Sequence, residues 1–198
     1  MAEYVKQTGN ASEFAVVTVE VEPGETGSGF VFENASRPEA IPGVYVQSIG
    51  QGCREAVQSG HLGGYPVVDV KIRLVDGAAH DTDSSERAFL IAGSMAANDA
   101  LAKAKPVLLE PMMSVEVVTP EEFRGAVQGD LNSRRGQIKG IEMRGILQAV
   151  QAEVPLSEMF GYVSSVRSMT QGRASYTMQF SHYARVPEAA TRGIVASN

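Results

Sequence analysis

In residues 106–198 the spacing of apolar residues switches between that of a strand and that of a helix, segment by segment. The order of these segments constrains the fold more than any other feature of the chain. "MSVEVVTP" and "RASYTMQFS" show the period of two typical of strands, while "PEEFRGAVQGDLNSRRG" and "LSEMFGYVSSVRSM" have apolar residues at helical spacing. Between the two helices, "QIKGIEMRG" and "ILQAVQAEVP" indicate a hairpin that turns near Gly145. The order βαββαβ predicts a ferredoxin-like sandwich with both helices on one face of the sheet.

The same periods predict which side chains share a face in this half of the chain. In the second helix, helical spacing places five apolar residues on one face: Leu156, Met159, Phe160, Val163 and Val166. Alternation in the last strand places three others on one face: Tyr176, Met178 and Phe180. We expect these two sets to be the packed faces of their elements.

The first half of the chain mixes strands and helices as well. "AVVTVEVEP" predicts a half-buried strand, and residues 44–60 predict a helix that ends at Gly60. "YPVVDVKIRLVDG" predicts a strand, and residues 84–104 predict an alanine-rich helix. That strand has one apolar face: Val68, Val70, Ile72 and Leu74. The prolines of "KAKPVLLEP" indicate a junction, so we predict an α+β chain of two domains, 1–105 and 106–198.

Composition excludes some classes of protein. The net charge of −6 argues against a protein that coats nucleic acid without specificity. The sequence has no apolar run of roughly 18 residues, so no membrane span is expected. Cys53 is the single cysteine, which rules out an internal disulfide and is typical of a reducing cytoplasm.

The stretch "GAAHDTDSSERAF" places a histidine among carboxylates and hydroxyls. A hydrolase triad of His80, Asp81 and Ser84 is disfavoured, because consecutive turn residues rarely bring a nucleophile and an oriented base together. A metal site of His80, Asp81 and Asp83, with or without His61, is disfavoured because the cluster is too local to surround an ion.

A helix start and an exposed tip explain the same stretch better. Asp83 or Ser84 can cap the helix that follows, and Glu86 suits its N-terminal dipole. Asp81 would repel a phosphate, so we expect it to brace the loop or cap the helix. His80 is left as a donor or stacking group at a loop tip, and we predict neither a catalytic residue nor a metal ligand in the chain.

Several long strings are similar to a known family. "AEVPLSEMFGYVSSVRSMTQGRASYTMQF", "AKPVLLEPMMSVEV", "GDLNSRRGQIKG", "GYPVVDVKIRL" and "HDTDSSERAF" together resemble bacterial translation elongation factor G, in its fourth and fifth domains. The resemblance implies that residues 1–105 form an α/β sandwich with an unusual left-handed βαβ crossover. It also implies a ribosome-binding factor that moves tRNA and mRNA through the small subunit.

The resemblance implies RNA contacts at specific residues. In the family, two loops at the tip of the fourth domain meet tRNA and mRNA at the decoding centre. The matching residues here are Gly9, Asn10, Ala11, Ser12, Gly77, Ala78, Ala79, His80 and Asp81. The fifth domain would touch large-subunit rRNA through basic residues, here Arg134, Arg135, Lys139, Arg167 and Arg173.

Two departures limit what carries over. The family's GTPase domain and its phosphate loop have no counterpart here, so this chain looks like a C-terminal fragment that does not hydrolyse GTP. GTP and Mg²⁺ would bind upstream, and the expected partners are rRNA, ribosomal proteins, tRNA and mRNA, with the fragment monomeric and no membrane involved. The first tip loop reads "GNASEFA", where the family has glycines and an arginine. This difference keeps a paralogue open, either a ribosome recycling factor or a ribosome-protection factor.

Overall fold

Two four-stranded sheets, one in each of two structural units, organise the part of the chain that is described. The computed structural model describes residues 1–8 and 11–196. The first unit comprises Met1–Val107 and the segment that begins at Ala189, and the second comprises Leu108–Glu188.

The first unit is a sheet with two helices. Its elements are β1 (Ala2–Thr8), β2 (Ala11–Pro23), β3 (Phe30–Asn34), α1 (Gly43–Ser59), β4 (Val70–Ala78) and α2 (Glu86–Lys103). The strand order is β1-β2-β4-β3, in which β3 and β4 are parallel and the other pairs antiparallel. Because α1 connects the parallel pair, β3, α1 and β4 form the βαβ unit. Its left-handed sense stays a prediction. The sequence patterns did not predict β1 or β3, since both are short or polar.

The core of this unit lies between the sheet and the helices. Alternate residues of β4, Val70, Ile72 and Leu74, are buried, as the strand pattern predicted. Val68 was expected on the same face but is 53% exposed. The reason is Asp69, whose φ of 54° interrupts the alternation before β4 begins. The Asp69 carboxylate accepts hydrogen bonds from two main-chain N–H groups of the β2–β3 loop, each at 3.0 Å.

The second unit has the predicted ferredoxin-like order. Its elements are β5 (Leu109–Pro120), α3 (Arg124–Ser133), β6 (Gln137–Arg144), β7 (Leu147–Pro155), α4 (Tyr162–Met169) and β8 (Ser175–Arg185). The sheet is antiparallel with the order β6-β7-β5-β8. The chain then enters α5 (Glu188–Ala196), which the sequence patterns did not predict.

Two packing expectations for this unit were wrong in part. The segment 156–169 is a 3-10 turn, Leu156–Glu158, followed by α4, and Gly161 with a φ of 74° separates them. The break resets the helical phase, so Tyr162 is fully buried whereas Phe160 is 78% exposed. Val163, Met178 and Phe180 are also exposed. The last two lie on β8, an edge strand whose sheet neighbour is β5 alone.

Candidate nucleic-acid interface

The end of the β1–β2 hairpin and the loop after β4 meet at one end of the first sheet. The hairpin pairs Gln7 with Ser12 and Thr8 with Ala11, so Ala11 and Ser12 begin β2 rather than continuing a loop. Gly9 and Asn10, also predicted to contact RNA, lie outside the described residues. β1 and β2 therefore stay paired up to Thr8 and Ala11.

The second loop leaves the sheet through Gly77 and Ala78, the last residues of β4. These residues pair with Val17 and Val16 of β2. A Cβ atom on Gly77 would collide with the Val16 carbonyl oxygen and the Ile41 side chain, so glycine is required for packing at this position. Ala79 packs against the core of the first unit, and the turn that follows carries His80.

His80 is held on one side of its ring and exposed on the other. Its Nδ1 lies 3.1 Å from Thr82 Oγ1 and 3.3 Å from Asp83 Oδ2, and its side chain is 57% exposed. Nε2 has no partner among the described residues. When Nδ1 carries a proton, it donates to the Asp83 carboxylate, and Nε2 of the neutral ring is then an acceptor. Nε2 becomes a donor when the ring carries both protons. In either form Nε2 is the ring nitrogen that an outside group can use.

The second loop is attached to the start of β2. The Phe14 N–H donates to the Asp83 carbonyl oxygen at 2.8 Å. The rings of Phe14 and His80 meet edge to face, with centroids 6.3 Å apart and planes at 70°. This contact restricts where the His80 ring can lie.

The helix cap differs from the predicted one. Ser85 is the N-cap of α2, and its hydroxyl accepts a hydrogen bond from the Ala88 N–H at 3.1 Å. Neither Asp83 nor Ser84 caps the helix, because both contact the tip instead. Asp81 is exposed and its side chain has no partner in the described part of the chain, so the expectation that it braces the loop or caps the helix was wrong. Asp83 is the carboxylate that braces His80.

The groups around His80 can be compared with the two arrangements that the sequence disfavoured, a hydrolase triad and a metal site. The Ser84 hydroxyl contacts the main-chain N–H of His80 rather than its ring, which is not the arrangement of a triad. Among the described residues, no group of three or more His, Cys, Asp and Glu side chains is placed to hold a metal ion. The described part also contains no helix that is both long enough and apolar enough to cross a membrane.

In the second unit, the Arg134 side chain makes several contacts within the unit itself. Its guanidinium donates to Asp130, to the Glu158 carbonyl oxygen and to Ser165, and its Cζ lies 5.0 Å from the centroid of the Tyr162 ring. The side chain is 17% exposed. These contacts use three of its five N–H donors, and the largely buried position of the side chain makes Arg134 a poor contact for an RNA phosphate.

The other predicted cations are more accessible. Arg135 pairs with Glu110 and Glu158, Lys139 lies 2.6 Å from Glu153, and Arg173 lies 2.6 Å from Glu122. Arg167 is exposed on α4, and its side chain has no partner within the described residues. Of the five basic residues, Arg167 is therefore the one whose charge is least compensated by neighbours.

Comparison with known proteins places both units in one family. Residues 1–105 match the family Elongation factor G, domain IV, and residues 107–193 match Elongation factor G C-terminus. A crystal structure of a protein from Thermus thermophilus is similar over 99% of this chain, with 40% identity and a TM-score of 0.83. The chain spans 29% of the length of that protein.

Both matches are to domains of a translation elongation factor, which defines the class of protein. The chain belongs to the elongation factor G family.

Proposed function

We propose that this chain is the C-terminal, ribosome-binding portion of a translational GTPase that promotes movement of tRNA and mRNA. Family membership supports the general role. The observation that carries the specific proposal is His80, whose Nδ1 is braced by Thr82 and Asp83 while Nε2 has no partner among the described residues and the side chain is 57% exposed. A braced imidazole at the end of a sheet suits contact with splayed RNA, where hydrogen bonds and stacking act on exposed bases and sugars.

In this proposal the tip works by occupying space rather than by catalysis. It enters the position that a tRNA leaves, so that backward movement is blocked. GTP and Mg²⁺ bind in an upstream domain, and the nucleotide state there biases the position of the tip. Such coupling between two sites is reciprocal for the binding equilibria.

Contacts of the second unit with rRNA are proposed for Arg167 first, with Arg135, Lys139 and Arg173 in support. An exposed arginine without a carboxylate partner can form a bidentate pair with a phosphate at no cost in broken ion pairs. Lys139 and Arg173 would first have to leave Glu153 and Glu122.

A purified translation system tests the proposal. The matching domains of an elongation factor G are replaced by this chain, and the movement of mRNA is followed by rapid kinetics. We expect the chimaera to bind ribosomes and to translocate. A chimaera that binds ribosomes and hydrolyses GTP but does not move mRNA would contradict the proposal.

The alternative function is ribosome recycling or ribosome protection. The first tip loop, "GNASEFA", is the feature that supports it. Ala11 and Ser12 are strand residues here and stand where the family has a glycine-rich loop. A stiffer hairpin changes what the tip can fit. Splitting of ribosomal subunits by the chimaera together with a recycling factor, without translocation, would favour this alternative.

A further inference from the structure

The hydroxyl of Ser84 lies between Phe14, near the start of β2, and His80, in the loop after β4. The His80 N–H donates to Ser84 Oγ at 2.8 Å, and Ser84 Oγ donates to the Phe14 carbonyl oxygen at 2.8 Å. A serine hydroxyl has one proton to donate and lone pairs to accept with, so both hydrogen bonds form at once. The side chain thus connects β2 to the residue that carries the exposed imidazole.

These hydrogen bonds stand where the pairing of β2 with β4 stops. That pairing ends at Val16 and Ala78, two residues short of Phe14, while β2 continues to pair with β1 on its other side. Beyond that point, the Phe14 N–H bonds to the Asp83 carbonyl oxygen and the Phe14 carbonyl accepts from Ser84. Asp83 and Ser84 therefore take the place of a strand partner for Phe14 on the β4 side of β2.

The main chain of Ser84 is fixed as well. Its N–H donates to the His80 carbonyl oxygen at 3.2 Å, and its own carbonyl oxygen lies 3.4 Å from the Tyr45 hydroxyl. The turn from His80 to Ser84 is consequently closed on itself and anchored to α1. Ser84 is thus hydrogen-bonded to His80, to Phe14 and to Tyr45.

We propose that Ser84 is a positioning residue that holds His80 in place relative to Phe14, near the start of β2. The inference rests on the proposed function, because it assigns to Ser84 the placement of the group that meets RNA. Its role differs from that of Ser85, which caps α2 and contacts neither Phe14 nor His80. The two adjacent serines thus give a matched pair for experiment.

Amide hydrogen exchange of the whole 198-residue chain tests the geometry without a ribosome. Ser84→Ala removes the acceptor of the His80 N–H, and we expect exchange at His80 to accelerate about tenfold. Ser84→Thr keeps a hydroxyl and should restore most of the protection. Ser85→Ala should accelerate exchange at Ala88 and leave His80 within about twofold of the parent chain. Equal exchange at His80 in the parent chain and in Ser84→Ala would overturn the proposal.

A double-mutant cycle in the translocating chimaera tests whether Ser84 affects the translocation rate through His80. If Ser84 acts through His80, Ser84→Ala slows translocation in the parent chimaera, and Ser84→Thr restores the rate. In the His80→Ala background, Ser84→Ala should change the rate by less than about twofold. If Ser84→Ala slowed translocation by the same factor in both backgrounds, Ser84 would act independently of the His80 side chain.

The two experiments separate this inference from the proposed function. If His80→Ala leaves translocation unchanged, the proposed role of the tip fails, whatever the exchange data show. If His80→Ala slows translocation and Ser84→Ala does not, the tip role stands and the role of Ser84 is refuted.

Discussion

Gly52 of α1 lies against the main chain of Leu90 in α2, so closely that a Cβ atom on Gly52 would overlap the Leu90 carbonyl oxygen. Gly93 of α2 makes the reciprocal approach, because a Cβ atom there would lie 2.7 Å from the Ile49 carbonyl oxygen. The two helices thus cross with their backbones in contact, and glycine is needed on both sides of the crossing.

Gly52→Ala should therefore destabilise the first unit, because backbone atoms cannot move aside as a flexible side chain can. We expect a loss of about 2 kcal/mol in the free energy of unfolding, as for other overpacked sites. Gly43→Ala in the same helix is the control, since a Cβ atom there has open space. Urea denaturation of both variants checks the prediction, and equal stability of the two would contradict the close crossing.

Cys53 should be inert towards thiol reagents in the folded chain. Its side chain is fully buried, and burial raises the pKa of the thiol to about 12. At pH 8 about one thiol in ten thousand is then ionised, and the thiolate is the reactive form. Iodoacetamide labelling followed by mass spectrometry should be very slow for the folded chain and rapid in urea. Complete labelling of the folded chain within minutes would show that this site opens.

The fold could be predicted from sequence where one face of an element is buried over several alternate residues. Val70, Ile72 and Leu74 follow the alternating pattern because one face of this part of β4 meets the core. The prediction failed at Phe160, since Gly161 adopts a positive φ and starts a new helix out of phase with the turn before it. Backbone conformation at a single residue changes every side chain that follows, and hydrophobic period alone does not report it.

The site could be predicted less completely than the fold. The pattern singled out His80 and a helix start, but it assigned the cap to Asp83 or Ser84 rather than to Ser85. Three consecutive polar residues can each cap a helix, and the choice depends on Phe14, which is distant in sequence. The contacts of Arg134 within the second unit could not be predicted either, because its partners on α4 and in the preceding turn become neighbours only in the folded unit.

Arg134 and Arg167 should respond differently to substitution. Arg134→Ala leaves Asp130, Ser165 and the Glu158 carbonyl oxygen without their donor, so we expect the second unit to lose about 2 kcal/mol. Arg167→Ala removes an exposed side chain, so stability should change by less than about 0.5 kcal/mol. Thermal unfolding measures both variants. If Arg167→Ala proved the more destabilising, the assignment of these two arginines would be wrong.

Arg167 and the Arg173–Glu122 ion pair test the proposed rRNA contacts. Arg167→Ala should weaken ribosome binding by the chimaera, and the loss should shrink as salt is raised, because a phosphate contact depends on ionic strength. Glu122→Gln, which frees Arg173 from its carboxylate partner, is expected to leave binding unchanged or to strengthen it. Filter-binding measurements at two salt concentrations decide between these outcomes.

The Lys139–Glu153 pair predicts a dependence of stability on pH. The hydrogen bond from Lys139 holds the pKa of the Glu153 carboxyl below its ordinary value, with a further contribution from His182. A carboxyl whose pKa is lowered by folding stabilises the folded state above its unfolded pKa, and this contribution disappears as the pH falls through the folded pKa. Glu153→Gln should therefore lower the unfolding temperature at pH 7 and have a smaller effect near about pH 3. An equal effect at both pH values would argue against the pair.

The most direct test of the whole account is the substitution of His80 by alanine in the chimaera. The rate of mRNA movement and the rate of ribosome-stimulated GTP hydrolysis are measured on the same preparation. The tip is proposed to act after GTP hydrolysis and to contribute one oriented imidazole. Translocation should therefore slow about tenfold while GTP hydrolysis stays within about twofold. Equal loss of both rates, or no loss of either, would contradict the assignment of His80 as the RNA-contacting residue of the tip.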